Sequence, residues 1–253
     1  MIPVKDNIPT PRFPLVTVGL ILANVVVYLL AVSNGGNFFS GPDTHELVKY
    51  GAIPWALTHG LNEHCTLVGS VLACGKRALP RALPAWQTAF TSMFMHASIL
   101  HIGGNMLFLW IFGNNVEDAL GHLKYLAFYI VGGLVALALQ VAVGPNSAAP
   151  TIGAAGAIAA VLGGYIVLYP RARVLTLFVL VLFVTVLEIP ALFVLGLWFI
   201  EQAVFSATNL ITPTGSNGGV AYFAYIGGFI FGLVTIRLLA TRRTPVPPVA
   251  LAH

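Results

Sequence analysis

The chain has 253 residues, 58% of them hydrophobic and only 8% charged. A soluble domain carries about a quarter charged residues, so this sequence cannot cover a water-facing surface and reads as an integral membrane protein. The net charge of +4 is small and scattered, which excludes a nucleic-acid partner.

The apolar runs are long and unbroken. Barrel strands alternate polar and apolar positions, so these runs predict helices. The start, MIPVKDNIPTPRF, is polar and proline-rich and shows no cleavable signal peptide. A membrane helix needs roughly 20 apolar residues, and six spans are predicted: 14–33, 101–120, 124–144, 153–169, 186–207 and 219–240. The expected class is an all-α, polytopic bundle. Residues 1–13 form an N-terminal segment, 14–240 the membrane domain and 241–253 a C-terminal tail. The stretch from Val174 to Phe205 is too long for one helix. Glu188 and Pro190 interrupt it, which predicts short re-entrant or interfacial structure before Pro190.

Lys and Arg sort by side. Lys5, Arg12, Lys124, Arg171, Arg173, Arg237, Arg242 and Arg243 all fall at one end of the spans. The excess of positive charge makes that end cytoplasmic, with both termini on it. The long loop 34–100 and the short loops 145–152 and 208–218 are then extracytoplasmic. Loop 34–100 holds Trp55, Trp86 and apolar runs, so it is expected to lie partly in the interface instead of forming a domain. It also holds the only two cysteines, Cys65 and Cys74. A disulfide between them is one reading; two unpaired, packed thiols are the other.

His101 and Asn105 lie four apart near the outer end of the second span, on one helix face. Such a pair can donate hydrogen bonds together, or staple spans to one another. Gly113, Glu117 and Gly121 follow at four-residue spacing. A lone carboxylate near a span end is costly unless bonded, so Glu117 is expected to accept hydrogen bonds from a neighbouring loop. The fourth span opens TIGAAGAIAA, with Gly153, Ala155 and Gly156; the sixth reads VAYFAYIGG, with Tyr225, Gly227 and Gly228. Small residues at helical spacing let backbones approach closely.

In order, His101-x-x-x-Asn105, Gly113-x-x-x-Glu117-x-x-x-Gly121, Gly153-Ala-Ala-Gly156 and Ala224-Tyr-Ile-Gly-Gly228 resemble the elements of rhomboid intramembrane serine proteases. The resemblance spans residues 14–240. It implies a six-helix core, an active site facing the extracytoplasmic side, and lateral access for transmembrane substrates. It places Ala155 where the nucleophilic serine belongs and Tyr225 where the general-base histidine belongs. It gives His101 and Asn105 to the oxyanion hole and makes Trp198 and Phe199 candidates for the substrate gate on span five, the alternative being ordinary packing or lipid-facing aromatics. A bacterial cytoplasmic (inner) membrane is the expected location.

The two substitutions decide the functional expectation. Alanine has no hydroxyl and forms no acyl-enzyme. Tyrosine, with a reference pKa near 10, is a poor base. Tyr225 is expected to fill the space left by the dyad and to hydrogen-bond the His101/Asn105 face. The function expected is that of a rhomboid-type endopeptidase scaffold in a catalytically inactive form, its dyad altered. The alternative is a natural pseudoprotease that binds membrane-protein clients without cleavage. A transporter would want ionisable residues along a path, and Glu117, Glu188, Glu201 and His101 form no obvious file. Partners are the lipid bilayer and transmembrane substrates or clients; nothing in the sequence fixes an oligomeric state. No cofactor or metal is expected: two cysteines are too few, His96 and His101 have no nearby carboxylate or thiol, and no glycine-rich phosphate loop occurs.

Overall fold

The computed structural model describes residues 2–59, 64–68, 71–75, 83–180, 183–211 and 221–241. The side chains at 2, 64–68, 71–75, 178–180, 183–184, 202–203 and 205–211 lie outside that description. In chain order the elements are β1 (Ile2–Asp6), α1 (Leu15–Ser33), β2 (Gly36–Asn37), β3 (Gly41–Pro42), α2 (Thr44–Tyr50), α3 (Pro54–His59), β4 (His64–Val68) and β5 (Val71–Gly75). There follow α4 (Ala85–Thr91), a 3₁₀ turn at Ser92–Phe94, α5 (Ile99–Leu120), α6 (His122–Val143), α7 (Ala155–Leu168), β6 (Arg173–Leu180), β7 (Phe183–Pro190), α8 (Ala191–Ile211) and α9 (Tyr222–Leu239).

Smallness places α7 at the centre. From Ala155 to Tyr165 every residue is buried, because α5, α6, α8 and α9 pack around it and alanine and glycine leave room for all four. Each of the six expected spans contains a helix, the fifth only from Ala191 onward. Three of them, α1, α6 and α9, are long and apolar enough to cross a membrane by themselves. Residues Ala85–Phe94 and Ile99–Leu120 make a fourth, broken by a bend of 78°. Helix α7 and the apolar stretch Ala191–Glu201 of α8 are shorter.

The all-α expectation needs correcting. Strands β1, β6 and β7 form a three-stranded antiparallel sheet in that order. The segment before Pro190 is therefore a β-hairpin, and α8 begins at Ala191, five residues later than predicted. The N-terminal segment is part of this sheet and no free tail. Asn7 N–H donates to the Arg173 carbonyl (3.0 Å), and Asn7 Oδ1 accepts from Arg173 N–H (2.8 Å). In loop 34–100, β4 and β5 form a second hairpin that sets Cys65 opposite Cys74 in backbone register; the disulfide itself lies outside the described side chains.

The two ends of the bundle differ. Ala191 N–H bonds the Ala172 carbonyl and Thr241 N–H bonds the Ala119 carbonyl, so the sheet and the last turns of α5, α7 and α9 share one end. Lys5, Arg12, Lys124, Arg171, Arg173 and Arg237 are all exposed there.

Glu117 ties this end together. It is 2% exposed. Its oxygens accept from Val16 N–H (2.8 Å), Thr17 N–H (2.7 Å) and the Thr17 hydroxyl (2.7 Å), and His122 Nδ1 lies 2.6 Å away. The partner is the first turn of α1, not a loop. Helix starts leave N–H groups free and partly positive, and Pro14 offers no side-chain cap, so a carboxylate from α5 does the capping. Gly113, one turn earlier, leaves room for the Tyr125 hydroxyl and Thr17. Gly121 turns the chain from α5 to α6 at φ +80°, where a β-carbon is strained. Glu117→Ala is expected to cost about 3 kcal/mol, since buried charged hydrogen bonds are lost and donors orphaned. Glu117→Gln should fall between, and unfolding in mixed detergent checks both.

Asp6 is a second buried acid, 5% exposed. Its Oδ2 accepts from the Asn115 amide (2.5 Å) and the Tyr165 hydroxyl (2.6 Å). Burial pushes its pKa from 3.8 up to about 6, against the opposing pull of the Tyr165 hydrogen bond. The folded state therefore binds the proton more tightly than the unfolded chain. That contribution is complete below pH 3.8 and is lost as pH rises through about 6. A shift of this size corresponds to about 3 kcal/mol. Asp6→Asn keeps both acceptor bonds without the charge and is expected to flatten the stability profile between pH 4 and pH 7.

Candidate functional site

At the opposite end, α5, α7, α8 and α9 surround a cavity of about 250 Å³. It is lined by Leu100, His101, Gly104, Asn105, Phe108, Ala155, Ile158, Leu162, Trp198 and Tyr225. The positions predicted for nucleophile, base and oxyanion donors thus face one space. A smaller void of about 30 Å³ lies beside it between Ser92, Ala155, Ala224 and Tyr225.

The turn into α7 is built against the donor pair. Gly153 has φ +115°, and a β-carbon there would lie 2.9 Å from His101 Nε2 and 3.7 Å from Asn105 Nδ2. Only glycine satisfies both the conformation and the space. The first N–H groups of α7 follow at once, without partners inside the helix.

Hydrogen bonding sets the ring states. Ala97 N–H donates to His101 Nδ1 at 3.4 Å, which leaves Nε2 as the protonated nitrogen facing the Gly153 turn. Ser98 caps α5 by accepting from His101 N–H at 3.1 Å. Asn105 Nδ2 is buried and has no hydrogen-bond partner. Buried donors are rarely left without partners, and this amide, on the cavity wall, can donate to a group that enters the cavity.

His96 stands behind the cavity wall, with no role marked by its place in the sequence. It is fully buried. Its Nε2 accepts from Ala154 N–H (3.4 Å), its Nδ1 lies 3.2 Å from the Phe94 carbonyl, and its ring stands edge-on to His101 at 5.0 Å. It braces the residue before Ala155.

The aromatic side of the cavity is continuous. Trp198 lies 5.9 Å from Tyr225, 6.3 Å from Phe108 and 6.4 Å from Phe229, centroid to centroid. Phe199 does not line the cavity; it stacks on Phe229 at 4.4 Å. Tyr225 lines the cavity and leaves it open, and against the expectation no hydrogen bond joins its hydroxyl to His101 or Asn105 among the described residues. The ring leans on Trp198 instead.

Gly156 and Gly227 both pack on Ala136 of α6, and Gly228 meets the Gly156 backbone. Helices α7 and α9 therefore touch backbone to backbone within a turn of Ala155 and Tyr225.

A family model for the rhomboid domain matches residues 84–242, well over half of the chain. The chain belongs to the rhomboid family. Among curated proteins it is similar to Rhomboid protein 1, mitochondrial, of Saccharomyces cerevisiae, 31% identical over 149 residues, covering 56% of this chain and 39% of that one. It is also similar to Presenilin-associated rhomboid-like protein, mitochondrial, of Bos taurus, 30% identical over 155 residues, 56% of this chain and 35% of that one. Rhomboid-like protein 11, chloroplastic, of Arabidopsis thaliana is 36% identical over 75 residues, 30% of this chain and 26% of that one. The chain spans at most 39% of the length of these relatives. The expectation of a bacterial cytoplasmic membrane is overturned: these rhomboid relatives are mitochondrial and chloroplastic proteins of eukaryotes. Composition reports a membrane, not which one.

Proposed function

We propose that this chain is a rhomboid-type intramembrane endopeptidase scaffold, six helices deep, that is silent as a protease and binds transmembrane segments of membrane-protein clients. Asn105 carries the reading. Its buried amide has no partner and stands with His101 on the wall of a cavity that also holds Ala155 and Tyr225. A main-chain carbonyl of an unwound client helix supplies the acceptor this donor lacks. Ala155 offers no hydroxyl to attack that carbonyl, so the client is held and not cut. Trp198 of α8 covers the cavity from the side as a gate. A transport path is not favoured. Glu117 is committed to capping α1, and Glu188 lies 3.8 Å from Arg173 in the sheet.

The test is capture. A photo-crosslinking phenylalanine analogue at position 108, in the full chain reconstituted in liposomes, is expected to label a single-pass segment carrying small and helix-breaking residues. No cleavage product should accompany the adduct. Asn105→Leu should lower the adduct yield about tenfold, the loss of one buried donor. Absence of any adduct would reject client binding.

A further inference from the structure

The sheet at the basic end carries a surface unrelated to the cavity. From Val174 to Leu187 the sequence VLTLFVLVLFVTVL has no charged residue, and its only polar residues are Thr176 and Thr185. Residues 174–180 and 183–187 of this run lie in strands β6 and β7. Neighbouring strand residues point to opposite faces, yet Val186 is 49% exposed and Leu187 48%. Both faces of β7 are thus uncovered at Val186 and Leu187, and Val4 on β1 is 47% exposed as well. Among the described residues strand β7 pairs only with β6, so its outer backbone edge has no described strand beside it.

Neither bulk phase suits this hairpin. In water, a long uncharged run of β-branched and aromatic residues beside an open edge is an aggregation site. In hydrocarbon, the unpaired N–H and C=O groups of β7 find no partner. The headgroup region of a bilayer meets both needs: acyl boundary for the side chains, water and headgroup oxygens for the edge. The bilayer is also at hand, because Ala191 begins α8 directly after β7, and α1 starts beside the same sheet.

Charge selects the lipid. Lys5, Arg12, Arg171 and Arg173 are exposed around the base of the sheet. Of the acids nearby, Asp6 and Glu117 are buried and hydrogen-bonded, Asp118 is already engaged, and Glu188 lies 3.8 Å from Arg173. Basic residues beside a membrane draw anionic lipids. We propose that the β6–β7 hairpin is a membrane-interface element that lies in the headgroup region and recruits anionic phospholipid to its arginine base.

The unaltered chain gives the first test, reconstituted with photoactivatable phosphatidylglycerol or phosphatidylcholine and mapped by mass spectrometry. Adducts are expected on peptides from 174–190, with phosphatidylglycerol favoured. Arg171→Gln should lower that preference about fivefold. No adducts on these peptides would overturn the proposal, and equal labelling by both lipids would overturn its anionic part. A nitroxide at Val186→Cys, with Cys65→Ser and Cys74→Ser, then reads depth. The expected position is about 5–10 Å below the headgroups. A label open to an aqueous nickel chelate would place the hairpin in water. Dipolar broadening between labels would show a second copy paired on the β7 edge in place of lipid. Either result would overturn the proposal.

Discussion

The double substitution Ala155→Ser plus Tyr225→His is expected to turn this chain into an active intramembrane protease. The two positions face one space. Ala155 and Tyr225 line one cavity from α7 and α9, and those helices meet backbone to backbone at Gly156 and Gly228. An introduced serine hydroxyl would attack the client carbonyl, and an introduced imidazole would take its proton and return it to the leaving amine. Negative charge on the carbonyl oxygen would meet the Asn105 amide, His101 Nε2–H and the first N–H of α7. Neither single change is expected to cut. With Tyr225 retained, the serine has a base of the wrong pKa; with Ala155 retained, the base has nothing to activate. Residues that act as a unit are strongly non-additive, so the double variant should exceed either single by about 10⁴-fold. The measurement is cleavage of a transmembrane reporter in liposomes. Ser92 is the internal control, since its hydroxyl is near the cavity but donates to the Ala89 carbonyl at 3.3 Å. Ser92→Ala in the double variant should leave the rate unchanged. Silence of the double variant would mean that this scaffold has left catalysis at more than two positions, and client capture would then be its sole activity.

The sequence reading and the fold part company where contacts are long-range. Helices α1, α5, α6, α7 and α9 follow from apolar runs because a membrane span is a local, one-dimensional property. The sheet does not. A strand announces itself by alternation, and residues 174–187 are apolar at nearly every position, so the run reads as more of the same long hydrophobic stretch. Asp6 looks like one charge in a proline-rich start; its partners Asn115 and Tyr165 lie 109 and 159 residues away. Glu117 was legible as a bonded carboxylate, but its donors sit about a hundred residues earlier in α1. His96 precedes α5 and shares no helix face with His101, so no periodicity marks it. Part of the cavity wall was legible for a different reason: the motifs on α5, α7 and α9 mark His101, Asn105, Ala155 and Tyr225, whereas nothing in their spacing marks Leu100, Phe108, Ile158 or Leu162.

Gly228→Ala and Gly232→Ala are expected to be among the most damaging single methyl additions in the bundle. A β-carbon at Gly228 would run into the Gly156 carbonyl oxygen, and one at Gly232 into the Ala160 carbonyl oxygen. Both obstacles are main chain of the central helix. A side chain could change rotamer, but α7 can yield only by moving away from α9 as a body, which breaks its packing along the whole length. Overpacking a core commonly costs 1–3 kcal/mol, and a backbone obstacle belongs at or above the top of that range, about 3 kcal/mol. Gly19→Ala and Gly103→Ala provide the contrast. Both positions are helical and have no atom within 4 Å of an added β-carbon, so the methyl should be neutral or stabilise by up to about 1 kcal/mol. Thermal unfolding in detergent separates the two pairs. Combining Gly228→Ala with Gly232→Ala should cost less than the sum, because the first methyl already parts the helices and the second enters the gap. The same separation would draw Tyr225 away from Ala155. In the Ala155→Ser, Tyr225→His background, either glycine change should therefore abolish cleavage even in molecules that remain folded.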